Sequence, residues 1–376
     1  MKWRNLDDNQ INDFFLNNKE EDASDVLVKL DKKKNLNHKQ VFAAIDLGTN
    51  CCRLVLANPT PTSFKVIETF SKVTRLGQGI IKNNELSSQA VNRTVSALKV
   101  CSEILNEFKP IEQYRFVATA ACRRAKNCDE FLAKVKKETG VELEIISTKE
   151  EARLAVAGCM PLVNRNITKT LVFDIGGGST EISWATITPH GKTNIEGYVS
   201  IPYGVVTIAE AFPGEDMTSL AYDAVVDKTI KLLLDFEEKH NIFHHIKNQE
   251  VQVIGTSGTV TVLGALHLNL SKYNRSVVDG LTLTIEDIEK VIRKIKRIGN
   301  EGRIRHSCIG KSKADLTIAG CAVVEAITKI WPILEVTVAD RGIREGILLD
   351  MIHKQHNKQK AKKKHKFSKK KQPHKK

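Results

Sequence analysis

The sequence lacks any apolar run of the roughly 18–20 residues that a membrane-spanning helix needs. Its first residues, Met1-Lys-Trp-Arg, are followed by polar and acidic residues, not by the apolar core of a signal peptide. From these absences we expect a cytoplasmic protein that makes no contact with a membrane.

Cysteine pairs with metal-binding spacing are also missing. The eight cysteines stand at positions 51, 52, 101, 122, 128, 159, 308 and 321. None forms a C-x-x-C pair, and none lies near a cluster of histidines. Several lie in apolar segments, where a free cysteine behaves as a small hydrophobic residue. A disulfide framework and a structural zinc site are therefore not expected.

The end of the chain has no acidic residue. Residues 354–376 contain twelve lysines, and subtracting them from the net charge of +14 leaves +2 for the rest. The folded part is therefore nearly neutral and does not suggest a nucleic-acid-binding fold. We predict that residues 353–376 form a disordered tail. The tail either aids solubility or binds a polyanion or RNA through counterion release.

The length of 376 residues and the apolar fraction of 41% suit two domains of ordinary size. Residues 1–40 are predicted to be a flexible extension. Residues 41–153 form a first domain with the order βββαβαβα, whose last strand is predicted at 142–147 and whose last helix, 149–158, crosses its end. Residues 154–338 form a second domain, and 339–352 are expected to pack back on the first. Within the first domain, Asn127 is predicted to cap a helix in a capping box with Glu130.

The most informative stretch is Leu171–Ser183, which is predicted to form a strand, a glycine turn and a second strand. The N–H groups of such a turn can converge on an anion. Asp174 and Glu181 flank the turn and would repel an anion unless a divalent cation lay between them. They therefore suggest a magnesium–phosphate site, although a purely structural hairpin turn would have the same pattern.

A second copy of this pattern supports the phosphate site. In Val41–Leu56 an apolar strand ends at Asp46 and is followed by a small-residue turn with Gly48 and Thr49, then by a return strand. Two such hairpins, about 130 residues apart, suggest two related domains that face each other across a cleft. The turn Gly255–Val260 opens a helix, whose N-terminus either binds an anion or is only structural.

Four motifs in one order carry a resemblance to a known family. They are Asp46-Leu-Gly-Thr-Asn50, Glu150-Glu-Ala-Arg-Leu154, Asp174-Ile-Gly-Gly-Gly-Ser-Thr-Glu181 and Gly255-Thr-Ser-Gly-Thr259. Over residues 41–352 the chain resembles the exopolyphosphatase/guanosine pentaphosphate phosphohydrolase family. The resemblance implies an α/β fold of the duplicated ribonuclease-H type, as in actin, hexokinase and Hsp70, with an interdomain cleft. It also implies Mg²⁺-dependent removal of a terminal phosphate from polyphosphate, guanosine pentaphosphate or both.

The resemblance assigns roles by position. It implies that Glu151 is the catalytic base, that Arg123 binds phosphate, and that Asp46, Asp174 and Glu181 hold the metal. Without it, Glu151 would be taken for an exposed helical residue. Arg53, after the first turn, is interpreted as a structural ion-pair partner. The predicted substrate contacts are Gly48, Thr49, Asn50, Cys51, Gly176, Gly177, Gly178, Ser179, Thr180, Gly255, Thr256, Ser257 and Gly258.

Two departures from the family and three alternatives stay open. Cys51 stands where the family often has a hydroxyl residue, and the lysine tail replaces the C-terminal helical domains of larger relatives. The first alternative is an ATP-using sugar or acid kinase of the same superfold. The second is a non-enzymatic module that binds polyphosphate or RNA through the tail. A more distant one is a chaperone-like ATPase. A homodimer is suggested by analogy with the family alone.

Overall fold

The computed structural model describes residues 40–164, 166–188, 193–212 and 217–370. The predicted N-terminal extension therefore lies outside the described residues, except for Gln40. The strands are β1 (Phe42–Leu47), β2 (Cys51–Pro59), β3 (Phe64–Val73), β4 (Gln113–Ala118), β5 (Glu144–Ile145), β6 (Lys169–Ile175), β7 (Thr180–Ile187), β8 (Thr193–Ile201), β9 (Val251–Thr256), β10 (Thr282–Thr284) and β11 (Glu335–Ala339).

Helices cover most of the remaining described chain. They are α1 (Ile80–Asn83), α2 (Ser88–Glu107), α3 (Ala120–Arg124), α4 (Cys128–Thr139), α5 (Thr148–Cys159), α6 (Val205–Ala211), α7 (Ser219–His240), α8 (Ile242–Lys247), α9 (Gly258–His267), α10 (Arg275–Val278), α11 (Ile285–Arg305), α12 (Ala314–Ile330) and α13 (Ile343–Lys370). Local signals explain several starts. The Ser87 hydroxyl accepts a hydrogen bond from Ala90 N and caps α2, and Thr284 forms a capping box with Asp287 at α11.

Two mixed sheets form the framework of two lobes. In lobe I the strand order is β3-β2-β1-β4-β5, and in lobe II it is β10-β11-β9-β6-β7-β8. In both sheets the first hairpin is antiparallel, while the strand on its other side, β4 or β9, runs parallel. Apart from the added β10, lobe II repeats lobe I strand for strand. The protein therefore has the duplicated ribonuclease-H-like fold that the sequence predicted.

The two central strands are entirely or almost entirely buried, which explains their continuous apolar sequences. Strand β1 (FAAIDL) is buried at all six positions, and β6 (KTLVFDI) at five of seven. Strands covered on both faces read as apolar runs that end where the chain reaches a polar cleft. In both strands that end is marked by an aspartate, Asp46 or Asp174.

Helices α5 and α13 cross between the lobes. A Cβ at Gly346 would overlap the Leu154 carbonyl, and one at Gly158 would overlap the Gly342 carbonyl. Glycine at both positions therefore lets the two helix backbones touch. Ile347, together with other residues of α13, packs against the lobe I sheet. The predicted boundary between residues 153 and 154 falls within α5, which contacts the lobe II sheet and, through Leu154, the lobe I sheet.

Three local predictions were wrong. Asn127 does not cap α4, because its side chain instead exchanges hydrogen bonds with the main chain of Leu86 at 2.8 and 3.0 Å. The predicted strand 142–147 is reduced to Glu144–Ile145. The predicted disordered tail continues α13 to Lys370. Lysine, glutamine and alanine favour helix, and no proline follows until Pro373, so a packed helix can extend into the tail.

Within the described ranges, no helix combines the length and the apolar character required to cross a bilayer. The cytoplasmic location stays a prediction.

Candidate active site

A cleft of about 440 Å³ lies between the two lobes. Its walls come from the ends of the central strands of both sheets and from the turns that follow them. Because the two sheets repeat the same topology, the two hairpin turns meet at this cleft. We call Gly48–Asn50 phosphate loop 1 and Gly176–Ser179 phosphate loop 2.

The two phosphate loops are closed by the same main-chain hydrogen bond. The Gly48 N–H donates to the Cys51 carbonyl, and the Gly176 N–H donates to the Ser179 carbonyl, both at 2.9 Å. The loops also touch each other across the cleft. A Cβ at Gly178 would lie 2.6 Å from Thr49 Oγ1. The glycines of loop 2 are therefore needed for the two lobes to approach this closely.

Unpartnered polar atoms mark the interior of the cleft. Asp46 Oδ1, Thr49 Oγ1, Asn50 Oδ1 and Ser257 Oγ are buried and have no hydrogen-bond partner. All four residues line the cleft. Buried polar atoms are normally paired, and exceptions at a concave site indicate a missing ligand or ion. The cleft is therefore prepared for a polar, charged occupant.

Glu151 extends from α5 into the cleft, and only 6% of its surface is exposed. Its Oε2 lies 2.6 Å from Arg123 Nη1, which also donates to the Ile146 carbonyl at 2.9 Å. Burial and the nearby Glu181 raise the pKa of Glu151 to about 8, against the opposing effect of Arg123. Glu151 can therefore accept a proton near neutral pH.

The adjacent Glu150 has the opposite environment. Arg153 Nε donates to it at 2.7 Å, and Arg115 Nη1 donates at the same distance. The hydrogen bond from Arg153 is the main reason that the pKa of Glu150 falls to about 2. Glu150 is thus an ion-pair partner on the outer side of α5. This difference makes Glu151, and not Glu150, the candidate base of the two.

Three further carboxylates share the buried site. Burial, with a contribution from Glu151, raises the pKa of Asp174 to about 7. Burial likewise raises the pKa of Glu181 to about 7, although hydrogen bonds from Ser179 (2.6 Å) and Ser200 (2.9 Å) oppose it. Burial also raises the pKa of Asp46. Four carboxylates that all resist ionisation form a site that a cation would stabilise.

The N-terminus of α9 faces the same cleft. Ser257, which precedes the helix, has φ 111° and makes no side-chain cap. This φ is unusual for a residue other than glycine and is a strained conformation typical of functional sites. The first N–H groups of α9 have no cap from Ser257, and Thr256, Ser257 and Gly258 line the cleft. This end of the helix can bind an anion.

Two predicted substrate contacts have structural roles instead. Gly255 lies within β9, and a Cβ there would be 2.5 Å from the Phe173 ring. Thr180 is fully buried and donates its hydroxyl to the Tyr203 carbonyl at 2.7 Å. Neither residue lines the cleft, whereas every other predicted substrate contact does. Glycine and threonine next to a turn can serve either packing or binding, and the sequence does not distinguish the two.

The sequence analysis assigned Arg53 a structural ion pair and did not place it in the cleft, which it lines. Arg53 pairs in register with Asp46, at the position that Glu181 occupies opposite Asp174 in lobe II. Burial disfavours the charge of Arg53, but nearby Cys51, Asp46, Asp340 and Asp174 hold its pKa above the usual range. Arg53 therefore places a positive charge in lobe I at the position where lobe II has the carboxylate of Glu181.

The sequence analysis also missed Asp340–Glu345, which runs from the end of β11 into the first turn of α13 and lines the cleft. Glu345 accepts from the Gly342 N–H at 3.0 Å and from Arg275 at 3.1 Å. The signal was present in the sequence Asp340-Arg-Gly-Ile-Arg-Glu-Gly346, where an acid and a glycine again follow an apolar strand.

The predicted metal ligands do not form a closed metal site. In the part of the chain that the structure describes, no three His, Cys, Asp or Glu side chains are arranged to hold a metal by themselves. Magnesium usually binds through one or two carboxylates, with waters and substrate phosphates as its other ligands. The unpartnered Asp46 Oδ1 and the reluctantly ionised Asp174 fit such an open site. The metal assignment stays a prediction.

Comparison with known proteins agrees with this geometry. The model of the Ppx/GppA phosphatase family matches residues 55–355. A crystal structure of the Aquifex aeolicus family member is 29% identical, with 84% of this chain and 98% of that chain covered and a TM-score of 0.68. An exopolyphosphatase-like protein is 28% identical, with 83% and 97% covered and a TM-score of 0.75.

An exopolyphosphatase from Cytophaga hutchinsonii has the same fold, with 22% identity, a TM-score of 0.75, and 84% of this chain and 98% of that chain covered. The family match extends from β2 into α13 and so includes both lobes and most of the cleft. This chain belongs to the Ppx/GppA phosphatase family and is a phosphohydrolase.

Proposed function

We propose that this protein removes the terminal phosphate of inorganic polyphosphate, converts guanosine pentaphosphate to the tetraphosphate, or does both, with Mg²⁺ as cofactor. The observation that carries the proposal is the position of Glu151. It is a buried carboxylate with a raised pKa, and it lies in the same cleft as two phosphate loops.

The terminal phosphate would bind between the two loops and the N-terminus of α9. Backbone N–H groups of the loops and of the helix suit a phosphate group because they supply positive dipoles without mobile side chains. Arg53 would add a fixed positive charge. Transfer of a phosphoryl group requires positioning and charge neutralisation more than covalent chemistry. The cleft residues supply both.

Glu151 would accept a proton from the attacking water while the water approaches the phosphorus in line with the leaving oxygen. Arg123, which does not itself line the cleft, holds the Glu151 carboxylate by their ion pair and would add positive charge near a bound phosphate. Asp46, Asp174 and Glu181 would hold Mg²⁺, which when bound neutralises phosphate charge. When the P–O bond breaks, the bridging oxygen stays on the shortened polyphosphate or nucleotide, and the terminal phosphate leaves as orthophosphate with the oxygen of the water.

Phosphate release with Mg²⁺ from short polyphosphate, long polyphosphate and guanosine pentaphosphate tests this proposal. Loss of a general base typically reduces the rate about 10²–10⁴-fold. We therefore expect Glu151→Gln to lose activity on that scale with little change in substrate binding, and Glu150→Gln to stay within a few-fold of the parent. Release by Glu151→Gln at the parent's rate, or no release from any of the three by the folded parent, would contradict the proposal. The ranking of the three substrates identifies the preferred one.

We also propose that the lysine-rich end of α13 adds affinity for long polyanions. Residues 354–376 contain no acid, and the described part of this segment continues α13 from the packed residues Met351 and Ile352 to Lys370. A chain that lacks residues 354–376 should show a higher KM for long polyphosphate and an unchanged KM for short polyphosphate. If the full chain and the shortened chain have equal KM values for long polyphosphate, the tail does not contribute to polyanion binding. RNA binding by the tail and homodimer formation stay predictions.

A further inference from the structure

The segment Thr74–Gly79, which we call the bridging loop, supports phosphate loop 1. The N–H groups of Thr74 and Arg75 both donate to the Asn50 carbonyl, at 2.8 and 2.9 Å. The Gly77 N–H donates to the Thr49 carbonyl at 2.9 Å. These three bonds fix the main chain of the loop whose Thr49 and Asn50 side chains enter the cleft. A shift of the bridging loop must therefore move phosphate loop 1.

The bridging loop also contacts lobe II through an arginine fork. Arg75 Nη1 donates to Asp315 Oδ2 at 3.1 Å, and Nη2 donates to Asp315 Oδ1 at 3.0 Å. The same Nη2 donates to the Ser312 carbonyl at 3.0 Å. Asp315 lies in the first turn of α12, where the helix dipole favours a negative charge. A bidentate fork holds a fixed geometry better than a single exposed ion pair.

A second contact leads from the bridging loop to phosphate loop 2. The Gly79 N–H donates to Glu210 Oε1 on α6 at 2.7 Å. At the start of α6, the Val205 and Val206 N–H groups donate to the Gly176 and Gly177 carbonyls, both at 2.9 Å. A continuous set of hydrogen bonds thus joins phosphate loop 1 to phosphate loop 2 through the bridging loop and α6.

The backbone of Arg75 supports a specific role for this residue. Its φ of 46° lies in the left-handed region, which glycine adopts more easily than arginine. An arginine at this position requires compensation from its side chain. The side-chain bonds of Arg75 that the structure describes all go to the other lobe, at Ser312 and Asp315.

We propose that Arg75 is a positioning residue that holds the two lobes at the spacing at which both phosphate loops contact one phosphoryl group. This inference rests on the proposed phosphohydrolase function and adds to it a residue outside the cleft. The pair with Asp315 sets the spacing of the lobes, and the bonds to Thr49 and Asn50 transmit that spacing to loop 1. The geometry assigns no contact between Arg75 and the substrate.

Steady-state phosphate release tests the proposal. Arg75→Gln and Asp315→Asn should each reduce kcat/KM about tenfold, and the double variant should lose no more than either single one, since both remove the same interaction. The charge swap Arg75→Glu with Asp315→Arg should recover most of the loss. Arg305→Gln is the matched control, because Arg305 pairs with Glu301 within one helix of lobe II at 2.9 Å. It should behave as the parent.

A residue with only a structural role would give a different result. The thermal midpoint would then fall in parallel with activity, and the charge swap would restore the two together. Additive losses in the double variant, or kcat/KM values equal to those of Arg305→Gln, would also overturn the proposal.

Hydrogen exchange separates this inference from the proposed function. In Arg75→Gln the amides of Arg75, Gly77 and Gly79 should exchange about tenfold faster, while Arg305→Gln should leave them unchanged. If exchange is faster in Arg75→Gln but the parent releases no phosphate, the interlobe role of Arg75 stands and the proposed hydrolase function is rejected. Unchanged exchange with unchanged kinetics would reject the interlobe role and leave the hydrolase in place.

Discussion

Replacing Glu151 with glutamine should stabilise the metal-free protein while it removes activity. A carboxylate whose pKa is raised on folding contributes stability below its unfolded pKa, and that stability is lost as pH rises through the folded pKa. For Glu151 this window extends from about 4.5 to about 8. With these values the raised pKa of Glu151 lowers the free energy of unfolding, relative to its value at low pH, by about 4 kcal/mol at pH 8 and about 1 kcal/mol at pH 5. Glutamine avoids this cost because it is neutral at both pH values.

The assay is thermal and urea-induced unfolding of the full chain with EDTA at pH 5 and pH 8. Glu151→Gln should unfold several degrees above the parent at pH 8 and close to it at pH 5. Mg²⁺ should reduce the difference in unfolding temperature between variant and parent at pH 8, because a bound cation stabilises the ionised carboxylates of the parent. A variant no more stable than the parent at pH 8, or a difference that does not grow from pH 5 to pH 8, would refute the reasoning.

Glu150→Gln is the control, because it should change the stability at pH 8 in the opposite direction. The pKa of Glu150 is lowered by its hydrogen bond from Arg153, so its ionised form contributes stability above the unfolded pKa, and that contribution disappears as pH falls toward 2. Its partly exposed position limits the effect to about 1 kcal/mol. Glu150→Gln should therefore slightly destabilise the protein at pH 8, where Glu151→Gln stabilises it.

Three further predictions concern glycine, cysteine and metal. Gly346→Ala should destabilise the protein by about 1–3 kcal/mol and lower kcat, because its Cβ would overlap the Leu154 carbonyl on the helix that carries Glu151. An unchanged midpoint of urea unfolding would contradict this prediction. Cys51→Ser should change kcat/KM by less than about threefold if phosphate loop 1 acts through its N–H groups, and a larger gain in steady-state assays would assign the hydroxyl a role. Asp174→Asn should raise the Mg²⁺ concentration needed for half-maximal phosphate release, and an unchanged metal titration would exclude Asp174 as a ligand.

The repeated hairpins and the fold were predictable because the signal for each is local. The apolar strands that end at Asp46 and Asp174, and the small-residue turns that follow them, are contiguous in the sequence, as is the helix that contains Glu151. Two copies of the same pattern indicated the duplication, and the matching strand orders of the two sheets confirm it. Helix starts with a hydroxyl cap, such as Thr284, were also predictable for this reason.

Other features depended on partners far away in the chain. Asn127 has the sequence environment of a helix cap, yet it bonds to Leu86, which lies on a different segment. Gly255 lies in a motif typical of phosphate binding, but it is needed to accommodate the Phe173 ring. The helical course of the tail to Lys370 depends on a helix that begins in the packed core at Ile343.

By itself, the sequence determined the two glycine-containing hairpins and most of the helices and strands, because each depends on residues that are neighbours in the chain. The candidate base came from the family resemblance. Only the tertiary structure decided how the lobes meet. It places Arg53 among acids from both lobes, separates the environments of Glu150 and Glu151, and pairs Arg75 with Asp315, 240 residues away. Burial and charge at the cleft arise from groups that only the folded chain brings together, and these interactions set the pKa values on which the proposed chemistry depends.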